Sequence, residues 1–203
     1  MSLQNKQPES KQLLAKYWAT GKKFHAKTLS FIKKYNNKII VIKYGGYALT
    51  KPALLKSFAK NISLLNQLGI KVIVVHGGGP QIEKELKKRK INNEEYQGLR
   101  VTTKSVLGVV KRILSHDLNK LISDEIKKNG GKTKRLNGVS TKVLKAKIAM
   151  NGNIGFVGEP RGIDKNIIMK ALKSNHIPII APLGVDANNN TLNINADTAA
   201  AYI

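Results

Sequence analysis

The segment from Val72 to Ile82 constrains the fold more than any other part of the chain. Four β-branched residues and a histidine lead into three glycines, Gly77 to Gly79, and Pro80 then opens a helical pattern. Glycines at a helix start let an anion approach outward-pointing backbone N–H groups, which lie at the positive end of the helix dipole. Proline suits the first helical turn, where no N–H is needed. The segment therefore predicts a buried strand, an anion-binding turn and a helix.

A second predicted strand, Lys38 to Lys43, also runs almost directly into glycines, Gly45 and Gly46. In a parallel sheet the ends of neighbouring strands lie side by side and form the crevice where ligands bind. We therefore expect both glycine turns and the Lys43 ammonium group to converge on one anionic ligand.

Helical and strand-like segments alternate along the chain. Predicted helices cover 52–68, 80–89, 104–128 and 165–175, and predicted strands also include 71–76 and 177–181. Shorter β-prone pieces follow Gly130 and Gly131. Strands separated by helices are typical of βαβ units. The pattern predicts an α/β fold with a mostly parallel central sheet covered by helices on both faces.

Composition excludes several classes of protein. The chain has 203 residues, of which 41% are hydrophobic, enough for one sizeable core. No apolar run approaches the roughly 20 residues that span a bilayer, so no membrane segment is predicted. Cysteine is absent, which excludes disulfides and thiolate metal sites and fits a cytoplasmic location. The four histidines are scattered, so no metal site is predicted.

The formal charge of +24, from 36 Lys and Arg against 12 Asp and Glu, suggests nucleic-acid binding at first sight. The lysines, however, are spread over nearly every predicted helix, and few aromatic residues are available to stack on bases. A solvated basic surface that attracts anionic metabolites is the favoured interpretation.

Residues 1–37 form a lysine-rich extension, separate from the predicted domain at 38–203. Apolar residues with helical spacing in it are Leu13, Leu14, Tyr17, Trp18, Phe24, Leu29 and Ile32. We predict a basic amphipathic helix that packs on the domain or contacts another subunit. A cleaved targeting peptide and a membrane-surface helix are the alternatives, but the segment lacks arginine and a continuous apolar region.

Two further segments carry candidate ligand-binding residues. Arg100 lies in a short link before a predicted helix, where its guanidinium could hold a carboxylate through two hydrogen bonds. Asn193 and Asn195 share one face of a predicted strand, and Asp197 precedes a helix predicted over 198–203. The alternative role for Asp197 is an ordinary helix N-cap.

Seven segments in this order resemble the acetylglutamate kinases of the amino acid kinase family. The matching segments are 41–46, 74–82, 98–102, 119–120, 155–159, 177–182 and 193–197. The resemblance implies a three-layer αβα sandwich, with 38–203 as the domain that binds the acceptor substrate. It also implies transfer of the ATP γ-phosphoryl group to the side-chain carboxylate of N-acetyl-L-glutamate, with Mg²⁺ on the ATP phosphates, in arginine biosynthesis.

The resemblance also implies roles for individual residues. Lys43 would neutralise phosphoryl charge, and the N–H groups around Gly46 and Gly79 would hold the phosphoryl oxygens. Asp197 would orient lysines at the reaction centre. Residues of the substrate pocket would be Gly78, Gly79, Arg100, Asn193 and Asn195, with Arg100 on a carboxylate and Asn195 in support.

The sequence departs from the family pattern at several positions. The segment 136–140 stands where a Gly-Leu-Ser-Gly-Lys-Asp motif is usual, so a lysine and an aspartate near the active site are missing. Around 115–119 a usual glycine pair is absent, and Tyr47 replaces a commoner asparagine. Family members also continue into a second, ATP-binding domain. The ordered matching segments make a kinase the favoured expectation, and the departures leave a non-catalytic amino-acid-binding or regulatory subunit as the alternative.

The extension at 1–37 gains a possible role from the same resemblance. Arginine-inhibited members of the family carry an N-terminal helix that joins dimers into a hexamer, and residues 29–32 are similar to the end of that helix. A homo-oligomer, either a dimer or a hexamer, and L-arginine as an effector are therefore further expectations.

Overall fold

The computed structural model describes residues 26–203. Its helices are α1 Ala26–Tyr35, α2 Pro52–Gln67, α3 Gly79–Lys88, α4 Lys104–Arg112, α5 Asn119–Lys128, α6 Lys165–Lys173 and α7 Ala196–Tyr202. Its strands are β1 Ile39–Tyr44, β2 Lys71–His76, β3 Glu95–Tyr96, β4 Leu99–Arg100, β5 Thr133–Leu136, β6 Leu144–Ile148, β7 Val157–Ile163, β8 Ile177–Ile180, β9 Leu183–Val185 and β10 Thr191–Ile194. Short 3₁₀ turns lie at Ala48–Thr50 and Met150–Gly152, and a π-helical segment spans Ile113–Leu118. Most residues of the predicted N-terminal amphipathic helix lie outside the described residues.

The central sheet is parallel and four-stranded, in the order β1-β2-β8-β5. Strand β2 is almost completely buried because both of its faces are covered. Val72 and Val74 pack with helices α2 to α5, whereas Ile73 and Val75 pack with helix α6 and strand β10. The alternation of side chains along this strand therefore separates two helical layers, and the predicted three-layer α/β fold is confirmed.

Four strands after residue 140 form a second, closed sheet in the order β10-β7-β6-β9. Its pairs are mixed, since β6 with β7 and β9 with β10 run antiparallel while β7 with β10 runs parallel. The sequence predicts only short β-prone pieces in this part of the chain. The order in which these strands pair depends on contacts between residues distant in the sequence, which the local hydrophobic pattern does not reveal.

Two predicted helices need correction. The helix predicted without interruption over 104–128 contains the π-helical segment at 113–118. The helix predicted to begin at Thr198 begins at Ala196, because the Asn195 side chain accepts hydrogen bonds from the backbone N–H groups of Asp197 and Thr198. Asn195 is therefore the N-cap, and the N-cap alternative for Asp197 is wrong. No helix within 26–203 is long and apolar enough to cross a bilayer.

Candidate active site

The two glycine turns meet at the carboxyl ends of strands β1 and β2. These strands pair in register up to Tyr44 and His76, and the Gly77 N–H donates to the Tyr44 carbonyl at 2.9 Å. A Cβ atom added to Gly46 would lie 2.9 Å from the backbone nitrogens of both Gly78 and Gly79. No side chain fits in that gap, so the contact between the turns requires glycine at position 46. The predicted convergence of the two turns is confirmed.

Gln81, in helix α3, forms a hydrogen bond to the Gly45–Gly46 turn. Its side-chain amide donates to the Gly46 carbonyl at 2.9 Å, while its own amide oxygen is buried without a partner among the described residues. Gln81 lies within the glycine-turn segment, but no local pattern predicts its contact with Gly46. Its contact holds the Gly45–Gly46 turn against the start of the helix.

A charged pair lies at the edge of the glycine turns. The Lys43 Nζ is 3.0 Å from the Asp197 Oδ1, and 33% and 71% of the two side chains are exposed. Asp197 lies in the first turn of helix α7, where the dipole of a helix favours a carboxylate. The pair is accessible to solvent, so its ammonium group can meet a ligand without leaving its partner.

Arg100 also lines the cleft, from the β3–β4 hairpin. Its Nη1 donates to the Asn93 Oδ1, and its register partner across the hairpin is Glu95. Burial lowers the pKa of the Arg100 guanidinium, while the charges of Glu95 and Glu83 oppose that shift. The arginine is therefore partly desolvated, a setting in which a carboxylate ligand is bound more strongly than at an open surface.

Asn193 connects strand β10 with the segment that follows Arg100. Its amide donates to the Thr102 Oγ1 at 3.2 Å, and the Thr102 hydroxyl donates to the Arg100 carbonyl at 2.9 Å. Thr102 is fully buried. This chain of contacts fixes the distance between the asparagine and the arginine hairpin.

All eight predicted site residues line one cleft of about 270 Å³. They are Lys43, Gly46, Gly78, Gly79, Arg100, Asn193, Asn195 and Asp197. Sequence reasoning missed Leu114, Glu95 and Pro182, which also line the cleft. Leu114 belongs to the π-helical segment, and its position beside Gly78 depends on a helix crossing that no local motif signals.

His76, at the end of strand β2, is a buried structural residue behind the cleft. Its Nδ1 lies 3.1 Å from the Gly77 carbonyl, and its Nε2 accepts from the Asn119 amide at 3.2 Å. Burial lowers the pKa of the His76 imidazole to about 4, so the ring is neutral at pH 7. The Nδ1–H therefore donates to Gly77, which supports the glycine turn from behind.

The cleft offers hydrogen-bond donors and cations at two separate places. The glycine turns and Lys43 contribute one set, at the ends of strands β1 and β2, and Arg100 contributes the other from the β3–β4 hairpin. Within 26–203 no three His, Asp or Glu side chains are grouped so that they could hold a metal ion. The arrangement can bind one anion at each place and bring the two together.

Fold and cleft together define an α/β protein of three layers whose ligand site lies at the carboxyl ends of a parallel sheet. The chain belongs to the amino acid kinase family, whose model matches residues 38–203.

Two similar proteins from different genera carry the same name. The chain is 41% identical over 186 residues to a protein of Psychrobacter cryohalolentis named acetylglutamate kinase, and covers 62% of its length. It is 41% identical over 175 residues to a protein of the same name from Campylobacter curvus, again covering 62% of it. In both alignments, 86% of this chain is covered. The chain therefore spans less than two thirds of these relatives.

Solved structures show the same fold. The smu.665 protein of Streptococcus mutans matches with a TM-score of 0.74 and 31% identity, over 79% of this chain and 65% of that one. N-acetylglutamate synthase of Neisseria gonorrhoeae, solved with coenzyme A and N-acetyl-glutamate, matches with a TM-score of 0.74 and 21% identity, over 86% of this chain and 40% of that one. At 21% identity, the similarity to N-acetylglutamate synthase shows a shared fold and nothing more.

Proposed function

We propose that the chain binds N-acetyl-L-glutamate and takes part in phosphorylating its side-chain carboxylate with ATP, a step of arginine biosynthesis. The observation that carries the proposal is that the two glycine turns, Lys43 and Arg100 all line one cleft. A dicarboxylic acceptor needs one cationic group for the carboxylate that is held and donors for the carboxylate that reacts. Relatives of both genera named above carry the name of this activity.

In the proposed reaction an oxygen of the side-chain carboxylate attacks the γ-phosphorus of ATP. The bond between that phosphorus and the β,γ-bridging oxygen breaks, ADP leaves with the electron pair, and N-acetylglutamyl 5-phosphate forms. No proton needs to be transferred, so the task of the protein is positioning and charge stabilisation.

Each predicted residue has a place in this scheme. Arg100 would hold the α-carboxylate, with Asn193 and Gly78 beside it. The N–H groups around Gly46 and Gly79 would receive the oxygens of the moving phosphoryl group, and Lys43 would balance their charge. Asp197 would keep the Lys43 ammonium directed into the cleft, and Asn195 would hold the helix start that carries Asp197.

The cleft offers few carboxylate ligands for a magnesium ion. The cleft presents the Asp197 carboxylate beside Lys43, and Glu95 beside Arg100. So few carboxylates are typical of a site where Mg²⁺ is held largely by nucleotide phosphates, whose charge it neutralises.

We further propose that residues 38–203 form the acceptor-substrate domain and that residues 1–37 are a separate extension. A cytoplasmic homo-oligomer, either a dimer or a hexamer joined through the extension, and L-arginine as effector belong to the same proposal. Light scattering with and without L-arginine measures the assembly, and a monomer under both conditions would contradict this part.

Two measurements test the function. Calorimetry should detect binding of N-acetyl-L-glutamate, and Arg100→Gln should weaken it by about tenfold or more, because a charge-assisted hydrogen bond to a carboxylate contributes about 1.5–3 kcal/mol. Trapping the acyl phosphate as a hydroxamate measures turnover, which Lys43→Ala should reduce by two orders of magnitude or more, about the loss expected when one charge-stabilising group is removed. The exposed Lys51→Ala is the matched control.

The outcomes separate the two functions. Binding without turnover favours the non-catalytic subunit. Turnover that is unchanged in Lys43→Ala, or binding that is unchanged in Arg100→Gln, overturns the role assigned to that residue.

A further inference from the structure

A second cavity, of about 520 Å³, lies between helix α4, the π-helical segment and the end of strand β5. Its lining residues are Lys111, Arg112, Ser115, His116, Arg135, Asn137, Val139 and Ser140. None of them lines the cleft described above. We call it the basic cavity.

The loop after strand β5 is rigidly built. The Asn137 Oδ1 accepts from the backbone N–H groups of Val139 and Ser140, at 2.9 and 2.8 Å. A Cβ atom on Gly138 would lie 1.9 Å from the Leu183 carbonyl oxygen, so the loop packs directly on strand β9. This wall of the cavity is therefore formed before any ligand arrives.

Arg135 is anchored so that part of its guanidinium remains available. Its Nε donates to the Asn119 Oδ1 at 3.0 Å, and its Nη2 donates to the Ser115 carbonyl at 2.7 Å. Within the described part of the chain, no acceptor occupies its Nη1. A guanidinium that is fixed on one side and open on the other is suited to bind an oxyanion.

The other charged groups add a positive field. Lys111 has no carboxylate within 4.0 Å among residues 26–203, whereas Arg112 contacts Glu85 at 2.7 Å and Asp117 at 4.0 Å. The two acidic groups thus offset Arg112. Lys111 has no such partner, and Arg135 has no carboxylate in direct contact, only the attraction of the more distant Asp124.

Ser115 supplies an observation independent of charge. Only 7% of this residue is exposed, and its hydroxyl oxygen is buried without a hydrogen-bond partner among the described residues. A buried hydroxyl without a partner is unfavourable, and rotation of the Ser115 side chain towards the cavity would let a ligand oxygen satisfy it.

We propose that the basic cavity binds a small oxyanion with two or more negative charges, held by Arg135, Lys111 and Ser115. Phosphate esters and polycarboxylates share this chemistry. The site is distinct from the cleft, and the proposal does not depend on the kinase function.

Calorimetry on the full chain tests the proposal, with pyrophosphate and citrate as separate probes at fixed ionic strength. Lys111→Gln should weaken binding by about tenfold, because a charge-assisted contact is lost. Ser115→Ala should weaken it several-fold without any change of net charge, and its thermal midpoint should be unchanged or higher. Lys134→Gln, which removes an exposed charge next to Arg135, is the matched control and should bind as the unmodified chain does.

Each outcome decides between alternatives. Binding of pyrophosphate alone assigns a phosphate ligand, and binding of citrate alone assigns a carboxylate ligand. Binding that Lys43→Gln abolishes belongs to the cleft and overturns the proposal, as does equal affinity in Ser115→Ala, Lys111→Gln and Lys134→Gln. Absence of binding by both probes overturns it too.

Discussion

At the scale of single residues, His76 couples the glycine turn to pH. Its ring is fully buried and accepts a hydrogen bond from Asn119, so protonation would remove an acceptor and bury a charge. The pKa of His76 is about 4 in the folded chain, compared with 6.5 ordinarily. Between these values the unfolded chain binds a proton that the folded chain does not bind. Stability is therefore complete above pH 6.5 and decreases as the pH falls towards 4.

The expected loss from His76 is about 3 kcal/mol over that interval. Urea unfolding at pH 7.5, 6 and 5 measures the part of this loss that occurs above pH 5, about 2 kcal/mol. His76→Gln should show a flatter pH dependence because glutamine does not titrate. A slope in His76→Gln equal to that of the unmodified chain would contradict the assignment to His76.

At the scale of elements, the π-helical segment and the glycine turn are packed against each other. A Cβ atom on Gly78 would lie 2.7 Å from the Leu118 Cδ1 and 2.8 Å from the Leu114 Cδ2, whereas one on Gly79 would meet nothing within 4 Å. Gly78→Ala should therefore destabilise the fold by about 1–3 kcal/mol, the usual cost of overpacking. Gly79→Ala should leave stability nearly unchanged. Chemical denaturation of the two variants measures the difference in their free energies of unfolding. An equal decrease in both would show that the π-helical segment shifts to make room for the methyl group on residue 78.

The elements also show how far the sequence predicts the structure. The strand–glycine–helix pattern at 72–82 predicts β2, its turn and α3, because hydrophobic burial and helix-start chemistry are local properties. The register that brings Gly46 against Gly78 follows from parallel pairing, so the site could be predicted together with the fold. The π-helical segment, the closed sheet and the Gln81 contact depend on side chains distant in sequence, and no local pattern signals them.

At the scale of the whole molecule, the charge of +24 is the dominant long-range term. The few acidic residues are shared among several cations, as where Glu85 contacts both Arg89 and Arg112 at 2.7 Å. Repulsion among the remaining lysines should destabilise the compact state, and salt screens it over a Debye length of about 10 Å at 0.1 M.

Sodium chloride should therefore stabilise the fold, although it also weakens the ion pairs. With 36 cationic and 12 acidic side chains, repulsive pairs outnumber attractive ones, and relief of repulsion should dominate. We expect the free energy of unfolding to increase by about 1 kcal/mol between 0.02 and 0.5 M, which corresponds to a rise of roughly 2–4 °C in the thermal midpoint.

Chloride is preferred to phosphate or sulfate because those ions could occupy the basic cavity. Lys84→Glu with Lys132→Glu lowers the formal charge from +24 to +20 and should reduce the response. A midpoint that falls with salt would mean that the ion pairs outweigh the repulsion.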